Sequence, residues 1–248
     1  MPVGSNRKKL VKRTLRKIRR RWWQIIHRSL WPSRSATNSW EVLPYLDAYS
    51  ADSDRKVEKG SDIKEKRVNK VQLPYLVSNG LAPEHRLLDI GCGTLRAGRH
   101  FIRYLNAGGY TGLELSPKVL DYAVLSVQQA GLSEKRPRLV LNAQKNLRFE
   151  QFAGETFDYL LAQSVFTHLP PEHIEECLAH VPSIMHEGSV FFFTFHQGRA
   201  YQYDGKKSFM YPASFFTELA NRYNQVLRVR DDYPHPKGQK MAMLKLAK

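Results

Sequence analysis

With 248 residues, the chain has room for one large α/β domain and an appendage, and its 12 Phe, 12 Tyr and 4 Trp supply a real core. Its formal charge of +16 is unevenly spread: residues 1–34 hold 12 of the 39 Lys/Arg and no acid, leaving 27 basic against 23 acidic residues elsewhere. Two distant cysteines exclude a disulfide framework and a cysteine-based metal site, and there is no apolar run of the roughly 18 residues that a spanning helix needs.

In the first segment, residues 1–34, apolar positions recur at Leu10/Val11, Leu15, Ile18, Trp22, Ile25/Ile26 and Leu30, with Lys and Arg filling the other face and Pro32 ending the pattern. Steps of three and four draw one stripe down an amphipathic helix. A Trp/Leu/Ile stripe beside a basic face suits an anionic membrane surface, contacted through residues 7–31. A nucleic-acid tail and a targeting peptide remain open alternatives. Basic residues interrupt every apolar stretch through Arg21, unlike a secretory signal, so the expected location is cytoplasmic, with the tail at the inner face of the membrane.

Residues 35–82 read as a linker and N-terminal cap helices. The stretch 33–60 becomes a short helix or lid, and 61–78 forms a helix that Pro74 kinks or ends. Such a helix before the first strand covers one side of a cofactor cleft or is there for packing alone; the sequence suits both equally. From residue 83 to 248 the pattern alternates regularly. Strands are expected at 86–90, 110–115, 138–142, 157–163 and 189–196, with helices at 94–105, 117–130, 171–185 and 212–223. Two final runs, 226–230 and 240–246, flank the turn-rich Tyr233-Pro-His-Pro-Lys-Gly238 and pair as an antiparallel edge hairpin. The result is a doubly wound, mainly parallel sheet of seven strands, whose ligand site lies at the carboxyl ends of the strands.

The stretch Leu87 to His100 (LLDIGCGTLRAGRH) runs from an apolar strand through Gly91 and Gly93 into a helical pattern. Glycines there let the backbone approach a ligand beside helix-end N–H donors. A dinucleotide fingerprint would place a third glycine at Arg96, and the Gly-Lys-Ser/Thr ending of a phosphate loop is absent. Glu114, ending the second strand, suits a pair of ribose hydroxyls.

These segments together resemble the class I S-adenosylmethionine-dependent methyltransferases: LLDIGCGTLRAGRH is similar to their first motif, TGLELSP to the second, FDYLLAQSVFTHLPPEH to the fourth, and EGSVFFFTF to the fifth strand. The resemblance implies a Rossmann-like methyltransferase fold with an antiparallel seventh strand, and S-adenosyl-L-methionine as cofactor. By position, Asp89, Gly91, Cys92 and Gly93 would meet its amino-acid end, Glu114 its ribose and Leu115 its adenine. Asn142 and Ala143 would face the adenine amine, and Gln163 the transferred methyl. Leu95 stands where many members have a further glycine, with Gly98 allowing close packing one turn later.

Methylation of a hydroxyl needs a base, for which His168 and His196 stand at the ligand side, whereas His173, His180 and His186 read as surface or packing residues. The chain lacks the Asn/Asp-Pro-Pro-aromatic run of base-amine methylation, the cysteine of carbon-5 pyrimidine methylation and the clustered acids of metal-dependent catechol chemistry, so no metal is expected. The loop 197–211 carries Arg199, Tyr201, Tyr203 and Tyr211, aromatics with cations that suit a sugar or an anionic head group, or that cover the site. The acceptor expected is a small, glycan-like or lipid-linked molecule, methylated at oxygen. RNA methylation and a non-catalytic binding module are the alternatives.

Overall fold

The computed structural model describes residues 43–59, 67–204 and 208–248, so the tail predicted at 1–34 lies outside the described residues. Two helices come first, α1 (Leu43–Glu58) and α2 (Arg67–Ser78). Pro74 sits inside α2 without ending it. The alternating part follows as β1 (Leu87–Ile90), α3 (Gly98–Tyr104), β2 (Tyr110–Glu114), α4 (Pro117–Gln129), β3 (Arg138–Leu141), β4 (Phe157–Ala162), α5 (Pro171–His180) and β5 (Met185–Gln197). A two-strand hairpin, β6 (Gln202–Tyr203) and β7 (Phe209–Tyr211), then leads to α6 (Ala213–Arg222), β8 (Gln225–Arg230) and β9 (Lys240–Leu246). Among the described residues no helix is long and apolar enough to cross a membrane.

The parallel strands run in the order β3-β2-β1-β4-β5, and β9 then pairs antiparallel with β5 and carries β8 on its outer side. The order reverses at β1, where β2 lies on one flank and β4 on the other. A cleft at the carboxyl ends is the geometric consequence, because the crossover helices diverge to opposite faces. This is the doubly wound sheet with an antiparallel final strand expected from the sequence.

Local departures have local causes. The helix expected from residue 94 begins only at Gly98, because Leu95 has φ of 61° and the glycine turn runs one residue further before the chain turns helical. The helix expected to reach residue 185 becomes 3-10 at Val181–Ile184, where Pro182 removes an N–H from the ladder. Strand β5 therefore starts at Met185, four residues early. At the start of α4, Ser116 caps by accepting the Val119 N–H at 3.1 Å, with Pro117 in the first turn.

Strand β5 is buried on both faces, and its two-residue period splits the aromatics. Phe191, Phe193 and Phe195 join Phe166, Phe209, Tyr211 and Phe216 on one side, whereas Val190 and Phe192 meet Leu87, Leu161 and Tyr75 on the other. Burying each such ring contributes about 1.5–3 kcal/mol. A central strand so anchored fixes where its last residue, beside the cleft, must lie.

Candidate active site

The turn after β1 is held from below. The Gly91 and Cys92 N–H groups both donate to Leu113 O, at 2.7 and 3.1 Å, tying the turn to β2. Gly91 and Gly93 take φ of 71° and 58°, a region costly for other residues. A side chain at Gly91 would strike Val165 at 2.7 Å, whereas one at Gly93 would meet nothing within 4 Å. Gly93 thus leaves open space at the floor of a cleft of about 960 Å³, lined there by Ile90, Gly91, Gly93 and Glu114.

The Glu114 carboxylate is set by three backbone donors. One oxygen accepts the Leu115 and Ser116 N–H groups at 2.8 and 3.0 Å, and the other accepts the Gly93 N–H at 3.0 Å. Glu114 lines the cleft, so this oriented carboxylate faces the space a ligand would enter. Asn142, at the end of β3, is 7% exposed and donates through Nδ2 to Asn146 O at 2.8 Å. Its Oδ1 is buried with no hydrogen-bond partner among the described residues, an acceptor suited to an N–H donor. Leu115, Asn142 and Gln163 all line the cleft.

Three expected contacts fall elsewhere. Asp89 is buried behind the turn, where its carboxylate accepts the Tyr110 hydroxyl at 2.7 Å. Burial, reinforced by the Glu114 charge and opposed by the Tyr110 bond, pushes the Asp89 carboxyl up to about 7. Cys92 points at β2, so close that a side chain on Gly112 would meet its sulfur at 2.8 Å, and burial raises its thiol well above its ordinary value. Ala143 is exposed and outside the cleft lining. Gly98 does allow close packing: a side chain there would meet the Tyr110 hydroxyl at 2.5 Å.

The cleft wall opposite the sheet comes from α1, through Leu46, Tyr49, Ser53 and Lys56. The helix just before β1 does not cover the cleft, since α2 packs through Tyr75 on Phe192 and Tyr233. His168 lines the cleft with its ring 5.4 Å from that of Tyr49, and His196 lines it at the end of β5. Burial and the Lys237 ammonium hold His196 below its usual value, with Asp204 opposing. His173 is the further correction among the histidines. It is 7% exposed, lines the cleft, and has an Nε2 buried without a partner. Its Nδ1 lies 3.7 Å from Glu176. Burial works against that carboxylate's charge, but bonds from His173, the Leu147 N–H and Arg148 hold it down at about 2. His180 and His186 are exposed, as expected.

The loop residues Arg199, Tyr201, Tyr203 and Tyr211 do not line the cleft. Tyr211 is fully buried and donates to Leu169 O at 2.6 Å, while Tyr201 and Tyr203 stack on Phe209. Arg199 is exposed and also outside the lining. The packing of Tyr201, Tyr203 and Tyr211 agrees with the covering role that the sequence left open for this loop. Further residues of the site lie in the turn between β8 and β9. Tyr233 donates to Gln163 Oε1 at 2.8 Å, and Gln163 Nε2 donates to Gln239 Oε1 at 3.2 Å, which also accepts the Ser164 hydroxyl at 3.0 Å. His235, Lys237 and Gln239 line the cleft with Ser208. The signal for them was the pairing itself: an antiparallel β9 beside β5 puts the residues before Lys240 against the end of β5. Among the described residues no group of His, Cys, Asp and Glu could hold a metal ion.

Residues 88–191 match the family model described as a methyltransferase domain. Among solved structures, the chain is similar to the 1,6-didemethyltoxoflavin-N1-methyltransferase of Burkholderia thailandensis, with a TM-score of 0.62 and 16% identity over 88% of this chain and 93% of that one. It is also similar to an S-adenosylmethionine-dependent methyltransferase of Clostridium acetobutylicum ATCC 824, with a TM-score of 0.57 and 16% identity over 82% and 99% of the two chains. The CcbJ methyltransferase of Streptomyces caelestis matches with a TM-score of 0.59 and 12% identity, over 75% and 92%. At such identity the structures speak for the fold, and the matched domain with its glycine turn and Glu114 speaks for the chemistry. Residues 88–191 are a methyltransferase domain, the fold is that of S-adenosylmethionine-dependent methyltransferases, and S-adenosylmethionine is the cofactor.

Proposed function

We propose that this enzyme methylates a hydroxyl of a small, glycan-like or lipid-linked acceptor that enters the cleft beyond Gln163, and that its basic tail brings it to the cytoplasmic membrane surface. The observation that carries the first part is a cleft of about 960 Å³, which extends from the cofactor residues to the end of β5 and the β8–β9 turn. That is the volume of a small-molecule site, and it is bounded by α1 on the side opposite the sheet.

The residues fit the cofactor on two counts. Asn142 Oδ1 is an orphaned buried acceptor of the kind an adenine amine would satisfy, and Gly93 leaves space that any side chain would fill. Glu114 would hold the ribose hydroxyls, oriented in advance by its three backbone donors. When bound, S-adenosylmethionine supplies a methyl group on a sulfonium centre, activated for displacement by a nucleophile. The chain's own task is alignment and removal of the acceptor proton. Gln163, clamped by Tyr233 and Gln239, gives a rigid edge against which an acceptor aligns. Of the two histidines at the ligand side, His196 stands near the Lys237 ammonium, which opposes its taking up a proton. The base is therefore assigned to His168.

The test is transfer of a labelled methyl group from S-adenosylmethionine to a cell extract separated into lipid, glycan, RNA and small-molecule fractions. Label is expected in a non-RNA fraction, on oxygen, and His168→Gln should lower the rate by about 10²–10⁴-fold without weakening cofactor binding. Label recovered in RNA, or on nitrogen at an unchanged rate in the variant, would overturn the reading.

A further inference from the structure

Three nitrogen-bearing side chains gather at the acceptor end of the cleft, outside the cofactor residues. His196 ends β5, while His235 and Lys237 stand in the turn between β8 and β9, and all three line the cleft. The register Phe195↔Lys240 brings them together, since it sets the residues preceding β9 against the last residues of β5.

His235 is the most constrained of the three. It is 9% exposed, and its Nδ1 accepts the N–H groups of Lys237 and Gln239 at 3.2 and 3.3 Å. That pair of bonds puts the ring proton on Nε2, which donates to nothing among the described residues. The Lys237 side chain is exposed and has no carboxylate partner among them. His196 is half-buried, with no hydrogen bond to a described residue. Two ring N–H donors and a positive charge that line one end of the cleft, with no acceptor for them among the described residues, form an incomplete arrangement.

We propose that His196, His235 and Lys237 form an anion-binding subsite, so that the methyl acceptor carries a carboxylate or phosphate group that docks there while its hydroxyl faces the methyl donor. This rests on the acceptor entering beyond Gln163. The electrostatics agree with the geometry. Burial, the proximity of His196 and the Lys237 charge pull His235 down to about 4, and burial with Lys237 lowers His196, against which only the Asp204 carboxylate acts. An anion would offset Lys237 and let the His196 ring take up a proton, while the His235 Nε2–H donates to it as it stands, with Nδ1 still held by the two backbone N–H groups. Ser208, also on the lining, adds a hydroxyl donor to the same space. Arg199, Tyr201, Tyr203 and Tyr211 of the preceding loop lie outside this lining.

The experiment is a histidine-ring NMR titration of the full chain, bound to S-adenosylhomocysteine, with inorganic phosphate and separately with succinate, against chloride at equal ionic strength. One of the two anions should saturably raise the titration midpoint of His196 and shift the His235 Nε2–H resonance, leaving exposed His180 and His186 unmoved. Lys237→Gln should weaken that response by about tenfold or more, the scale of one charge-assisted hydrogen bond, at unchanged S-adenosylhomocysteine affinity. The anion that acts identifies the acceptor's group as phosphate or carboxylate. The proposal falls if neither anion exceeds chloride, or if His180 responds equally, and the wild-type titration decides this whether or not the variant folds. Failure to bind S-adenosylhomocysteine would instead strike at the cofactor site, which calorimetry reads separately.

Discussion

Asp89 shows how one residue can serve the site without touching a ligand. Its carboxyl is buried against Tyr110, and Tyr110 in turn fills the space that Gly98 leaves open, so the three lock the base of the glycine turn to β2 and α3. Burial raises this carboxyl from an ordinary 3.8 to about 7 in the folded chain. A group raised on folding binds its proton more tightly in the native state, so its stabilisation is complete below about pH 4 and fades as pH rises towards 7. Asp89→Asn keeps an acceptor for Tyr110 but removes the titration. The difference in unfolding free energy between variant and wild type should therefore move in the variant's favour from pH 4 to pH 7, by an amount on the order of a few kcal/mol. A constant difference across that range would show that Asp89 is ionised in the fold. The glycine turn itself was legible in sequence, because two glycines after an apolar strand admit few other conformations. That Asp89 points behind the turn was not legible, since its partner Tyr110 lies 21 residues away and is fixed only by β1–β2 pairing.

Among elements, α1 is held differently from the sheet. Leu46 and Val57 bury apolar surface, but its links to the body are polar: Ser116 to Asp54, Lys118 to Glu58 at 2.6 Å, and Lys145 to Asp47. The lysine pairs are largely exposed, so salt screens them, while the aromatic packing around β5 is insensitive to it. Hydrogen exchange of α1 amides should be faster than that of β4 and β5, should accelerate further in high salt, and should slow when S-adenosylmethionine binds, with β4 and β5 unchanged by salt. Equal protection of α1 and the sheet at every salt concentration would mean that it is part of the rigid core. The alternating strands and helices were readable because each has its own hydrophobic period. The β8–β9 turn was read as a turn, yet its contribution of Tyr233, His235 and Gln239 to the site was not, because that depends on β9 inserting beside β5. The tyrosines of the loop before α6 misled in the opposite sense: aromatic residues beside cations suggest a binding surface, but Phe209 and Phe215 offered them a core to join.

At the scale of the whole molecule, charge and chemistry are separated along the chain. The 12 Lys/Arg of residues 1–34 stand without one acid, whereas the remaining 27 basic and 23 acidic residues nearly balance. A near-neutral body gives little general attraction for a polyanion, so the proposed contact with an anionic surface is assigned to the tail. Near an anionic bilayer each Lys or Arg contributes about 1 kcal/mol, and the Trp and Ile positions predicted along one helical face add insertion that a nucleic acid would not use. Co-sedimentation separates the two partners. The full chain should pellet with phosphatidylserine-containing vesicles and not with neutral ones, and a chain lacking residues 1–34 should stay in the supernatant while keeping its affinity for S-adenosylmethionine. Equal pelleting of both chains would remove the anchor. Salt-sensitive RNA retention by the full chain, lost with the same residues and unaccompanied by vesicle binding, would reassign the tail to nucleic acid. A tail that binds the bilayer through its apolar stripe should also hold on at salt concentrations that release a purely electrostatic contact, because screening weakens the charge term and leaves the buried Trp and Ile side chains where they are.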